Sequence, residues 1–335
     1  VSHAHSPHDD NRISCTAMSH DRRRHESVLA VDIGGTKIAA AVVDDSGRIT
    51  SRRRESTTAA GGDALIEQVT HLLAGLRAES SAAIRAVGIG IPAVLEPATD
   101  RVLWAPNIPG ARDLPLREAL ESRLGLPVLV EYDGHTAVLG EWWQGAGRGF
   151  QNVVFVIIGT GIGGGMILDG RLYCGRDRLA GAAGWFDLTT DVDESREPRQ
   201  YGHWEALAAG PGIARRALVG LAAGRASSLH AERLTAEYVL GAARAGDAFA
   251  GEIINETARI IGIGVANIVS LLNPDVVILG GGVGSQPELL EPVRRVVRAR
   301  AQPIAARSVR IESSQLGDDA GLLGAAYVAL ERARS

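Results

Sequence analysis

Lysine is almost missing from this sequence. Of its 35 basic residues only Lys37 is a lysine, and every other is an arginine. A GC-rich genome would explain the bias, and a lysine kept at one position under that pressure suggests a need for its compact ammonium, which a planar guanidinium does not replace. Cysteine is scarce as well. Cys15 and Cys174 cannot build a disulfide framework or a thiolate zinc site, and a reduced, cytoplasmic protein is the simplest expectation. No apolar run is expected to reach the roughly 18 residues of a membrane span. A net charge of −4 gives no sign of nucleic-acid or membrane binding. The pattern G-x-x-x-x-G-K-[ST] is absent, which excludes a P-loop enzyme.

What is present reads as globular. Hydrophobic residues make up 45% of 335, enough for two domains with substantial cores. Residues 1–27 are expected to be a disordered leader. That tail holds five of the nine histidines and little apolar periodicity, lacks the pattern of a secretory signal, and contains Met18 as an alternative start.

Strand and turn signals begin at Ser27. Val28–Ile33 reads as a buried strand, Gly34-Gly35 as a tight turn, and Ile38–Val43 and Ile49–Arg54 as the next strands. A helix is expected near Asp63–Arg77, a strand at Ala86–Ile91, a helix at Leu116–Leu124 and a strand at Val128–Val130. The second half repeats the style. Asn152–Ile158 and Met166–Leu168 read as strands around a glycine loop, Ala248–Leu272 as the strongest helix, and Val276–Leu279 as a strand entering a glycine triplet. Helices are expected at Pro287–Arg300 and from Ala320 to Arg332. The class is α/β with mixed sheets, in two similar lobes around a cleft, where small-molecule sites favour forming.

Three glycine loops carry chemistry. In Asp32-Ile33-Gly34-Gly35-Thr36-Lys37 a bare hairpin turn points N–H groups outward as an anion nest, flanked by a carboxylate, a hydroxyl and an ammonium. Phosphoryl transfer needs those functions. The loop Gly159-Thr160-Gly161-Ile162-Gly163-Gly164 formally matches the dinucleotide fingerprint. A strand, not a helix, is expected after it, so a second phosphate nest fits better than a nicotinamide site. Gly281 and Gly282, between strand and helix, leave room for a flat adenine or ribose.

Together these loops resemble the ROK family (repressor, open reading frame, kinase) of the actin-like ATPase superfamily. The likeness covers roughly residues 28–330. It also rests on Gly88–Pro92, Ala105-Pro106-Asn107, Glu131-Tyr132-Asp133, Gly202–Glu205 and Gly317–Gly321. The resemblance implies a two-lobed fold, with a small lobe of 28–132 joined by the C-terminal helix 320–335 and a large lobe of 133–319. It implies an ATP-dependent sugar kinase with magnesium near Asp32, held through water. Asp133 would take the proton of a sugar 6-hydroxyl, while Asn107 and Glu205 would bind sugar hydroxyls. A homodimer is expected on the same likeness.

The sequence departs from the family in three places. The family carries Glu-x-Gly-His after an Ala-Gly pair. Matching that pair to Ala183-Gly184 puts Trp185 where the glutamate stands and Leu188 where the histidine stands. The family's zinc cysteines are matched by Arg196, Pro198 and His203, so no structural zinc is expected there. Tyr132 replaces the usual asparagine before the base. Trp185 can lie against an apolar sugar face, and Asp133, Glu205 and Asp187 would favour a protonated amine. An amino-hexose such as kanosamine (3-amino-3-deoxyglucose) is the leading specific substrate, with glucose beside it. A non-catalytic sugar sensor is the competing class, and a nicotinamide oxidoreductase a weaker one. The family's repressors carry a helix-turn-helix, for which the residues before the first strand are too few.

Overall fold

The computed structural model describes residues 26–105, 107–188 and 202–334. Residues 1–25 of the expected leader, Pro106, and Arg196 and Pro198 of the zinc-motif comparison lie outside the described residues.

The chain opens with three antiparallel strands, β1 (Ser27–Ile33), β2 (Lys37–Asp44) and β3 (Ile49–Ser56). Helix α1 (Gly62–Glu79) leads to β4 (Ile84–Ile91), parallel to β1. Three short strands, β5 (Val94–Leu95), β6 (Val102–Trp104) and β7 (Arg112–Leu114), form a small sheet of their own. Then come α2 (Leu116–Leu124), β8 (Val128–Tyr132) parallel to β4, and α3 (Asp133–Gln144). The first large sheet has the order β3-β2-β1-β4-β8.

The second large sheet repeats that order. Strands β9 (Val153–Ile158), β10 (Ile162–Leu168) and β11 (Arg171–Leu172) are antiparallel. Helices α4 (His203–Ala208), α5 (Gly210–Ala222), α6 (Ala236–Arg244) and α7 (Ala248–Leu272) precede β12 (Val276–Gly280). A single turn, α8 (Gly281–Gly284), then α9 (Pro287–Arg300) and α10 (Ala305–Ser308) lead to β13 (Arg310–Ser313), and α11 (Ala320–Arg334) ends the described chain. The sheet order is β11-β10-β9-β12-β13, with β12 parallel to β9 and β13. Each sheet is thus a three-stranded antiparallel meander extended by two parallel strands, in the two-domain actin-like arrangement.

Alternation along the strands explains the layers, because successive side chains face opposite sides. Leu29 and Val31 join the core beneath α1 and α2, whereas Val28 and Ala30 pack against α11. Val154 and Val156 face the core of α5, α7 and α9, whereas Val153 and Phe155 face α3 and α11. Helices α3 and α11 therefore lie between the two sheets. They cross with their backbones touching. A Cβ on Gly140 would sit 2.0 Å from the Ala320 carbonyl, and one on Gly324 1.6 Å from the Thr136 carbonyl.

Among the described residues, helix α7 comes nearest to the length and apolarity of a membrane span without an unbroken apolar run of 18 residues. An 18-residue window within it has mean hydropathy 1.2, apolar and long enough to cross a membrane by length and composition. Isolated Glu, Asn, Thr and Arg residues break the apolar run but do not lower the average enough. Of that window, 67% is buried inside the protein, and Ile253, Ile261, Val265 and Val269 belong to the core of the second half.

Candidate active site

Helices α3 and α11 cross antiparallel, Gly140 meeting Ala320 and Gly324 meeting Thr136, and Asp32 relates the start of one to the start of the other: it feels the charge of Asp133 and packs on Gly321. Asp133 is the first residue of α3. It does not cap the helix. Tyr132 holds the cap position, and the Asp133 carboxylate instead accepts from the Gly134 N–H at 2.8 Å. Asp32, near the end of β1, packs against the first turn of α11, where a Cβ on Gly321 would lie 3.0 Å from its Cγ. Each N-terminus presents a partial positive charge, which suits anions.

Asp32 feels the charge of Asp133. Burial pushes Asp32 up to about 7, with Asp133 and Asp318 adding repulsion and Lys37 and Arg54 opposing it. Burial raises Asp133 to about 6, against the pull of the Gly134 N–H and the charge of His135. Acids crowded this way fit a divalent cation brought with a nucleotide, since its charge would relieve the repulsion.

The first turn is closed by the Gly34 N–H donating to the Lys37 carbonyl at 2.8 Å. That takes Gly34 out of the expected nest and leaves the N–H groups of Gly35 and Thr36 for an anion. The Lys37 ammonium is 2.7 Å from Asp318, just before α11. In the second turn the Gly159 N–H donates to the Gly161 carbonyl at 2.9 Å, leaving those of Thr160 and Gly161. Strand β10, not a helix, follows, so the dinucleotide reading fails. Its pyrophosphate would have no helix N-terminus to meet. The third loop lies alongside, with the Gly282 N–H 3.9 Å from where a Gly159 Cβ would stand, and the α-carbon of Gly282 faces open space.

Residues expected on the sugar side divide. Asn107 lies on the first turn, its carbonyl 2.7 Å from where a Gly35 Cβ would be. Glu205 accepts from the Ile162 N–H at 2.7 Å, so one of its oxygens braces the second turn. Trp185 is half exposed, in a 3₁₀ turn at Ala183–Trp185. Asp187 is 3.2 Å from His203 Nδ1, and it does not figure among the charges acting on Asp133, Asp32 or Tyr132.

Sequence reasoning missed two features. Tyr132 was noted only as a departure, yet burial and the charges of Asp133 and Glu205 raise its hydroxyl, which faces Gly163. The second feature is the motif register. Gly181 and Gly184 are both pressed onto β10, where Cβ atoms would lie 2.2 Å from the Gly164 carbonyl and 2.4 Å from the Ile162 carbonyl. Two obligatory glycines three apart match Ala-Gly-Glu-x-Gly-His over Ala180–Trp185, three residues earlier than expected. The spacing was visible in the sequence.

The ROK family profile matches residues 28–332. A glucokinase of Halalkalibacterium halodurans is 33% identical over 318 residues, spanning 92% of this chain and 96% of that protein. A glucokinase of Streptomyces coelicolor is 36% identical over 322 residues, spanning 90% and 97%. The crystal structure of a ROK family glucokinase from Streptomyces griseus in complex with glucose and AMPPNP superposes with a TM-score of 0.74 at 33% identity, covering 91% of this chain and 99% of that one.

Proposed function

The chain belongs to the ROK family and is a sugar kinase, and on that premise we propose that it transfers the γ-phosphoryl group of ATP to the 6-hydroxyl of a hexose, with Asp133 as the base. One observation carries the reading: Asp133 is a desolvated carboxylate at a helix N-terminus, raised to about 6, beside Asp32 and the first phosphate turn. A carboxylate of that basicity is mostly ionised at neutral pH and accepts a proton more readily than an ordinary aspartate.

The sugar 6-hydroxyl donates a hydrogen bond to Asp133. As its oxygen bonds to the γ-phosphorus, the O–H proton passes to the carboxylate. The bridging P–O bond breaks, and its electron pair leaves with ADP. The N–H groups of Gly35, Thr36, Thr160 and Gly161 hold phosphate oxygens, Lys37 adds a positive charge, and Gly281 and Gly282 leave room for the nucleoside. Magnesium near Asp32 supplies charge neutralisation when bound. Closure of the lobes keeps water from the γ-phosphate.

The finer proposal concerns the sugar. In the register set by Gly181 and Gly184, Ala182 stands for the family's glutamate and Trp185 for its histidine. The pocket then offers an indole face, the Tyr132 hydroxyl, Asn107, and the carboxylates of Asp133 and Glu205. Negative charge without the family's Glu–His pair favours a hexose bearing a protonated amine, with kanosamine leading and glucose beside it. A coupled ADP-release assay with magnesium-ATP over glucose, mannose, glucosamine, kanosamine and N-acetylated hexosamines tests this. Preference for an amino-hexose is the expected result. Glucose as the best substrate would discard the pocket argument and keep the kinase.

A further inference from the structure

Next to the base lies a buried ionic network that the phosphoryl-transfer scheme does not use. His135 is fully buried, two residues after Asp133. Its Nδ1 is 3.0 Å from Glu131 Oε1, and its Nε2 is 2.9 Å from the Ala180 carbonyl. Both partners are acceptors, so both ring nitrogens donate and the ring is an imidazolium. Burial pulls its pKa down, but Cys174 and Glu131 outweigh that and hold it at about 10. Glu131, His135 and Cys174 have ligand atoms within 4.8 Å of one another. With a proton on each nitrogen, however, the ring has no lone pair for a metal.

Arg178 completes the set. It donates to Glu131 Oε2 at 2.8 Å, to Asp100 Oδ1 at 2.5 Å and to the Val130 carbonyl at 3.2 Å. Two cations thus face two carboxylates. The contacts join distant pieces of chain: Asp100 near the small sheet, Glu131 and His135 at the β8–α3 junction, and Arg178 and Ala180 in the segment after β11. Backbone conformation points the same way. Arg178 has φ +56°, a left-handed value unfavourable for an arginine, and such a residue persists where its surroundings over-determine it. The His135 ring also stands edge-on to Tyr132 at 5.2 Å.

We propose that His135 and Arg178 are positioning residues: they lock the segment Cys174–Gly181 to the strand–helix junction carrying Asp133, and so set the spacing between the base and the Ala182–Trp185 turn that faces the sugar. Neither residue touches the reacting atoms. The proposal rests on the reading of Asp133 as base and adds what holds the sugar-side turn to it.

The test uses the full chain. ¹⁵N NMR of the histidine rings should show His135 protonated at both nitrogens and not titrating between pH 6 and 9. His135→Asn, Arg178→Met and the milder Asp100→Asn should lower kcat about tenfold and raise the sugar KM severalfold, since small misplacements cost that much. The ATP KM should stay within about twofold, and Arg178→Lys should recover part of what Arg178→Met loses. A ring that titrates near 6.5, stoichiometric zinc lost with His135→Asn, or variants that melt lower with unchanged kinetics would each overturn the proposal. Asp100→Asn leaves the Glu131–His135 pair intact, so one variant should fold. Full turnover by Asp133→Asn would sink the base assignment and leave the His135 NMR signature unchanged, which separates the two failures.

Discussion

The two large sheets share one strand order, yet their first turns are built differently. Asp32-Ile33-Gly34-Gly35-Thr36-Lys37 joins β1 to β2 with a carboxylate before the turn and an ammonium after it. Gly159-Thr160-Gly161 joins β9 to β10 with no charge in the turn itself. Both are closed by one backbone hydrogen bond, and both leave two N–H groups. A repeated scaffold presents the same pair of donors in both turns, which in the proposed function would hold the two sides of a nucleotide, with the charged chemistry confined to the first turn and the α3 N-terminus. The first half should therefore break on loss of charge, and the second on gain of volume.

Asp133→Asn is expected to have the largest effect, a fall in kcat on the order of 10²–10⁴ with sugar affinity largely kept. The same change should stabilise the protein at neutral pH. Asp133 has a folded pKa of about 6 against 3.8 unfolded. Its protonated form is thus favoured by folding, and the stability it contributes is present below about pH 4 and lost as pH rises through about 6. An amide avoids that loss. The variant should melt higher than wild type at pH 7.5 by a margin on the order of 1–3 kcal/mol, and the difference should vanish near pH 4. Equal melting at both pH values would contradict the desolvated-base picture.

Gly282→Leu breaks the other half by volume. It adds a side chain to open space, so the melting temperature should fall little, whereas the ATP KM should rise about tenfold. An unchanged ATP KM would remove the third loop from the nucleotide site. The acid limb of kcat/KM for the sugar should fall tenfold per pH unit below about pH 6, where Asp133 becomes protonated. A limb centred near 4 would mean that the carboxylate is solvated. Lys37→Arg is the mildest test, with kcat/KM for ATP expected to drop severalfold because a guanidinium replaces a compact ammonium. Identical kinetics would make the single lysine incidental.

Much of the scaffold was legible because its signals are local. β1, β4 and β12 are short apolar runs next to glycine, and α1, α7 and α9 carry clear helical periodicity. The small sheet escaped because strands of two or three residues, such as Val94–Leu95, carry no period to read. In β13 only Ile311 of Arg-Ile-Glu-Ser is apolar, as befits an edge strand with one buried position. Of the candidate site, the glycine turns were legible because a Gly-rich hairpin is a local signal. The network of Asp100, Glu131, His135 and Arg178 was not, since its members lie up to 78 residues apart and only the fold brings them together. The register of the Ala-Gly motif could have been read from its second glycine, which follows Ala180-Gly181 as Gly184 but is Asp187 after Ala183-Gly184. Contact with the β10 carbonyls agrees with that register.

The most direct test of the central claim is to incubate the full chain with magnesium-ATP and a hexose panel, follow ADP release, and locate the phosphate on the product by NMR. Sugar-dependent ADP release with phosphate on the 6-hydroxyl is the result expected if Asp133 acts as base. Phosphate on the anomeric hydroxyl, or ADP release that ignores the sugar, would contradict it.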